Sequence, residues 1–204
     1  SLVIPNSVTS IGRYAFYGCS GLTSLVLSNS DTNLGDYAFM YCSGLTSLVI
    51  PNSVTDIGNY VFYGCSGLTS LVIPNSVTSI GSHAFEGCSG LTSLVIPNSV
   101  TSISSGAFSG CSGLTSLVIP NSVTDIGNYA FEGCSGLKEV ISLNLTPPRI
   151  QLYTFGELPR FTIKVPNESL DLYKIANYWY RFVSIMEGID VSGIDNIYNN
   201  DNTH

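Results

Sequence analysis

A fixed step constrains this chain more than any other feature. Cys19, Cys42, Cys65, Cys88, Cys111 and Cys134 stand 23 residues apart, and Phe16, Phe39, Phe62, Phe85, Phe108 and Phe131 keep the same interval. Leu22, Leu45, Leu68, Leu91, Leu114 and Leu137 repeat it again. A period in the twenties marks a solenoid, in which each unit packs only on its neighbours. A lone unit of this length cannot hold itself together. Ordering each residue costs roughly 1–2 kcal/mol. Each large apolar side chain returns only about 1.5–3 kcal/mol when fully buried. Stacked units bury both flat sides, so repetition is how the chain makes a core.

Residues 68–88, LTSLVIPNSVTSIGSHAFEGC, show the logic of one unit. Leu71 and Ile73 alternate with Ser70 and Val72, as a strand with one buried face requires. Pro74 ends that strand because it has no amide to donate. The following Asn-Ser makes a turn. Val77 and Ile80 then point inward from a short extended or 3-10 segment. The stretch SHAFEGC predicts one helical turn with Ala84, Phe85 and Cys88 on one side. Gly87 and Gly90 are expected at positive φ where the chain leaves that turn.

These residues resemble the BspA-like leucine-rich repeat, whose pattern is L-x-x-L-x-I-P-x-x-V-x-x-I-G-x-x-A-F-x-x-C. The match covers residues 1–142. The resemblance implies an α/β leucine-rich repeat solenoid: one parallel β-sheet of about seven or eight strands on one face, short helical turns opposite, and a C-terminal cap. The chain departs from the better-known leucine-rich repeat by placing Ser7, Ser53, Ser76 and Ser99 where asparagine usually stands. Asn6, Asn52, Asn75 and Asn98 fall one place earlier and are expected to cap the turns as a stack. Residues 143–188 are similar to the closing segment of bacterial members. They read as the cap, with a strand in FTIKV, Ser169 as helix N-cap, and Tyr173, Ala176 and Trp179 along one helix face. Residues 189–204 read as an Asn/Asp-rich tail or linker. Ser1 aligns with the third place of the unit, so the expectation is that the natural chain continues upstream, and that the tail leads to a sorting or attachment segment.

Composition narrows the function classes. Charged residues make up only 10% of the chain, against about a quarter in ordinary domains. The net charge is -7, and residues 1–136 contain a single base, Arg13. Nucleic acids and anionic membranes both want clustered Lys and Arg, so neither is an expected partner. No apolar run approaches the roughly 20 residues that span a bilayer, so no membrane insertion is expected.

Catalysis finds little raw material. The histidines are His83 and His204, and no nucleophile elbow, zincin motif or phosphate loop occurs. An enzyme is not expected, nor is any cofactor. The six thiols are expected to be buried and reduced, acting as small apolar residues. No Cys-x-x-Cys pair suggests a metal. In the deviant unit, Asp31, Asn33 and Asp36 partly match a calcium loop but lack its distant Glu. Drift in one unit is the competing reading.

Two surfaces are candidates for partner binding. The outward face of the strands should carry a ladder of Val26, Val49, Val72, Val95 and Val118 beside a ladder of Ser24, Ser47, Ser70, Ser93 and Ser116. An exposed apolar stripe of this kind marks interaction sites; the alternative is plain β-propensity. The second surface gathers Tyr14, Tyr37 and Tyr60 at one repeat position and Tyr17 and Tyr63 at another. Tyrosine is enriched in interface cores; the alternative is packing between neighbouring turns. The resemblance implies a secreted or surface-displayed bacterial repeat protein, extracellular or at the cell surface, that binds a protein or another macromolecule by adhesion. The rival reading is a stiff spacer that displays another domain. Self-association through the first unit is also expected, because Leu2, Ile4, Val8, Ile11 and Phe16 have one side without a neighbour.

Overall fold

The computed structural model describes residues 1–30, 33–157 and 160–192. It is a parallel-strand solenoid of about eight turns. On the inner face lie Leu2–Val3, Ser24–Val26, Ser47–Val49, Ser70–Val72, Ser93–Val95, Ser116–Ile119, Glu139–Ser142, Thr162–Pro166 and Met186–Ile189. Each paired neighbour is parallel and offset by one repeat, as in Val3 with Val26 and Val72 with Val95. The ladder is hydrogen-bonded in three runs rather than as one sheet. It also has a last strand, Met186–Ile189, that the sequence does not advertise.

A second parallel ladder runs along another side: Ser10–Ile11, Asn33–Leu34, Asp56–Ile57, Ser79–Ile80, Ser102–Ile103 and Asp125–Ile126. These are the segments read as extended or 3-10, and they are extended. The expected helical turn on the third side is not helical. There, alternate amides leave their own coil. Tyr14, Phe16 and Gly18 donate to the carbonyls of Asp36, Ala38 and Met40 in the next coil, while Ala15, Tyr17 and Cys19 donate three residues back. A helix would keep all these donors to itself. The left-handed φ of Tyr14, Tyr37, Tyr60, His83, Gly106 and Tyr129, between 56° and 65°, turns the chain so that they do not.

The core is one column. Phe16, Phe39, Phe62, Phe85, Phe108, Phe131 and Phe155 stack with centroids 5.1–5.8 Å apart, the last pair included. Around them the repeated Leu, Ile, Val and Ala are almost all fully buried. The corner asparagines Asn6, Asn52, Asn75 and Asn98, expected to cap the turns as a stack, are exposed. At two corners the serine after the asparagine links the coils: Ser76 Oγ donates to Val54 O at 2.6 Å and Ser122 Oγ to Val100 O at 2.7 Å.

Five of the six thiols are buried as expected; Cys19 is exposed, because no coil lies upstream of it in the structure. Each buried thiol donates to the Phe carbonyl of the preceding coil, Cys88 to Phe62 O at 3.3 Å. Burial pushes Cys42 up to about 11 and Cys65 and Cys134 up to about 12. Gly87 has the expected positive φ of 73°. Gly90 does not need one: a Cβ there would sit 2.5 Å from Ser66 O, so glycine is required by close approach of two coils.

The closing segment behaves differently from its expected outline. The short helix Leu170–Ile175 stops before Ala176, and Trp179 opens a 3-10 stretch, Trp179–Ile185. Tyr173 and Trp179 still meet edge to face at 5.0 Å, both buried over the last coils. Ser169 precedes the helix, but its hydroxyl donates to Leu145 O at 2.7 Å rather than capping it. Trp179 Nε1 donates to Pro148 O at 2.7 Å. The tail assignment of 189–204 loses Ile189 to the last strand, and residues 193–204 lie outside the described residues.

Gly21 and Gly90 share one repeat position, but nothing lies within 4 Å of a Cβ on Gly21. Gly90→Ala should therefore cost about 1–3 kcal/mol, and Gly21→Ala less than about 0.5 kcal/mol, by denaturant unfolding. The thiols give a second check. With a thiol reagent at neutral pH, the native chain should label rapidly at Cys19 alone, and the other five should follow only on unfolding. Fast labelling of Cys65 or Cys88 in the folded chain contradicts the packing described.

Candidate interaction surfaces

The inner ladder turns its valines outward. Val26, Val49 and Val72 are exposed, Val72 by 54%, while Val95 and Val118 are half-buried. The stripe also extends past both ends of the residues picked out from sequence. Val3 is its most exposed rung at 66%, and Ile141 continues it beyond Val118. It stops at charge: Ile141 pairs with Lys164 and Lys164 with Glu187. Lys164 Nζ donates to Glu139 at 2.9 Å, an ion pair that closes the stripe at one end.

The tyrosine flank is built by the left-handed turn. That backbone throws each Tyr side chain onto the outer side, one directly above the next. Tyr14 and Tyr37 stack at 4.8 Å, Tyr37 and Tyr60 at 4.8 Å, and Tyr60 and His83 at 4.7 Å, with interplanar angles of 22°, 6° and 13°. The guanidinium of Arg13 lies 5.0 Å from the Tyr14 ring and 4.9 Å from the Tyr37 ring, a cation–π contact to both. The stack ends where His83 pairs with Glu86 and folds over Gly106, which leaves no room for a Cβ there.

Beside this stack runs a second aromatic row. Tyr17 meets Tyr41 at 5.8 Å and Tyr41 meets Tyr63 at 5.4 Å, both edge to face. Tyr14 and Tyr17 lie 5.8 Å apart, and Tyr60 and Tyr63 5.9 Å, so the two rows touch. Tyr14 and Tyr17 are exposed, by 47% and 51%, whereas Tyr37, Tyr60 and Tyr63 are half-buried between coils. Burial first, then Tyr37 and the Glu86 carboxylate, raise the Tyr60 phenol; burial, Glu86 and Tyr41 do the same for Tyr63. Both stay neutral hydrogen-bond donors well above neutral pH. The inner rings thus pack between coils, and the outer rings Tyr14 and Tyr17 face solvent.

Tyr41 and Arg13 are the members that sequence reasoning missed. The signal for Tyr41 was present, since it stands where other units have Gly18, Gly64, Gly87, Gly110 and Gly133 at positive φ. Its own φ is 61°, and its ring lies against Gly64, where a Cβ would be 2.6 Å from it. The calcium-loop reading does not gain support from Asp36. Its Oδ1 accepts the amide of Asn59 at 3.0 Å, the same coil-to-coil stitch that Asn59 Oδ1 makes to Ser82. Asp31 and the Asn33 side chain lie outside the described residues. Among the described residues no three His, Cys, Asp or Glu side chains gather as a metal site.

The sequence pattern of the BspA-type leucine-rich repeat region matches residues 1–115 and 101–200, in six copies. The chain belongs to the BspA-type leucine-rich repeat family. A leucine-rich cell surface protein from Faecalibacterium prausnitzii A2-165 is 38% identical, with a TM-score of 0.65 over 72% of this chain and 39% of that one. The present chain thus spans about two fifths of that protein's structure. The leucine-rich repeat protein TpLRR of T. pallidum is 28% identical, with a TM-score of 0.67 over 93% of this chain and 86% of that one. The pneumococcal vaccine antigen PcpA, 21% identical with a TM-score of 0.55, shares the fold. Among curated proteins no relative matches the chain. Bacterial leucine-rich repeat proteins of this type are generally non-enzymatic.

Proposed function

We propose that this BspA-type solenoid is a non-enzymatic interaction module displayed on a bacterial cell surface, and that it holds protein partners against its tyrosine flank. One observation carries the reading. Two positions on this flank change character along the repeats: Tyr14, Tyr37 and Tyr60 give way to His83 and Gly106, and Tyr17, Met40 and Tyr63 give way to Glu86, Ser109 and Glu132, whereas the valine rungs from Val26 to Val118 do not change. Tyr and Arg are the side chains that most often carry binding energy in interfaces, and the single base of residues 1–136 sits on the tyrosine stack. Surface display is supported by the F. prausnitzii neighbour, which is described as a cell surface protein.

The valine stripe favours a second reading. From Ser24–Val26 to Ser116–Val118 its rungs and the serines beside them do not vary, which suits a spacer better than a surface that selects one partner. A random-peptide display library panned on the intact chain separates the two. Enriched peptides should lose about tenfold or more in affinity on Tyr14→Ser with Tyr17→Ser, and keep it on Val49→Thr with Val72→Thr. The opposite pattern moves the site to the stripe, and no enrichment favours the spacer. We also propose self-association through the first unit, a contact separate from the tyrosine flank. Light scattering on the same samples across a hundredfold dilution reads it, and a Leu2→Glu change should abolish it.

A further inference from the structure

The tyrosine flank has a chemical property that partner binding does not use, and the following does not depend on that binding. Tyr14 and Tyr37 are held ring over ring at 4.8 Å by the backbone that superimposes their coils. Tyr14 is 47% exposed, so an oxidant reaches it. Trp179 and five of the six thiols, which would compete for one-electron oxidation, are buried, so the exposed competitors are chiefly other tyrosines such as Tyr17, Tyr41, Tyr129 and Tyr180.

We propose that Tyr14 and Tyr37 form an oxidative cross-linking site, joined as dityrosine when the chain meets hydrogen peroxide and a haem peroxidase. Each phenol gives up one electron and its hydroxyl proton to the peroxidase, leaving a phenoxyl radical with spin density on the ortho carbons. Two such radicals on neighbouring rings combine, forming one carbon–carbon bond between ortho carbons. The hydrogens on those carbons move to the oxygens and restore two phenols. Two tyrosines thereby lose two hydrogen atoms in all, and one hydrogen peroxide is reduced to two waters.

Geometry selects this pair. Coupling in solution requires two radicals to meet, whereas here both rings are already face to face, the kind of placement that raises effective concentration by orders of magnitude. Tyr17–Tyr41 and Tyr41–Tyr63 meet edge to face, at 83° and 88°, rather than ring over ring. Tyr129 and Tyr153 are parallel but 5.6 Å apart. Tyr60 stacks on Tyr37 as closely as Tyr14 does, but Tyr37 and Tyr60 are both half-buried, so only the Tyr14–Tyr37 pair offers the peroxidase an exposed phenol. The product would tie the first coil to the second.

The test uses the full chain with Cys19→Ser, so that the exposed thiol consumes no radicals. It is treated with horseradish peroxidase and hydrogen peroxide. The expected product is monomeric, lighter by two hydrogen atoms, fluorescent as dityrosine, and maps to a cross-linked peptide pair carrying Tyr14 and Tyr37. Its yield should not change over a hundredfold dilution. Tyr14→Phe keeps the stacked ring and should remove the product; Tyr129→Phe should not. Hydrogen exchange at the Phe16 amide should slow about tenfold or more after cross-linking, because a closed loop restrains opening of the first coil. The proposal is overturned if the folded chain gives only intermolecular dityrosine, if the cross-link maps to another pair, or if Tyr14→Phe leaves the yield unchanged.

Discussion

Everything in this molecule depends on amides that leave their own coil. In the outer turn every second N–H is donated to the next coil, and the two short ladders do the same on the other sides. Those bonds hold successive coils in exact superposition. Once coils superimpose, identical residues must stack on identical residues, which is why a phenylalanine column, a thiol row and a tyrosine stack all appear at the same step. A chain built this way cannot vary one buried position without addressing the one above it. The sequence repeats because the backbone does.

The period, the inward residues and the parallel ladder were legible, because burial on one face of a strand writes itself into alternation and because stacking writes itself into the 23-residue interval. The outer turn was not. Ala84, Phe85 and Cys88 have helix-like spacing and are all buried, but spacing records which side chains face the core, not where the amides go. The turn's left-handed residue is usually Tyr, a side chain that seldom adopts that conformation, so nothing in its identity announced it. Gly90 was misread for a related reason: glycine is required equally by positive φ and by close approach, and only distances tell them apart. Met186–Ile189 escaped notice because it follows a 3-10 stretch and lacks the repeat's residues; pairing with Thr162–Pro166 makes it a strand.

The candidate surfaces were partly legible. Repeat positions found the valine stripe and five of the tyrosines, but not how each terminates. Lys164 and Glu187 close the stripe from outside the repeats, with Glu139 at a serine position of the last one, and Tyr41 joins the aromatic rows only because it replaces a glycine. The same stacking that stabilises the coils also concentrates the aromatic rings. A solenoid gains affinity and chemistry through repetition: one side chain placed well in a coil is placed well in every coil that carries it. The tyrosine flank and its stacked Tyr14–Tyr37 pair are both consequences of coil-to-coil superposition.

The most direct test of this account is to remove one internal coil. Deleting residues 68–90 takes out one full period and joins Gly67 to Leu91, which have the same neighbours in sequence as before. If neighbour stacking alone makes the core, the shortened chain should fold, stay soluble and melt cooperatively, with its buried thiols still protected. Deleting residues 68–87 instead shifts every later coil out of register and should abolish folding. A full-period deletion that fails to fold, or an out-of-register deletion that folds equally well, would contradict the claim that coil-to-coil registry holds this protein together.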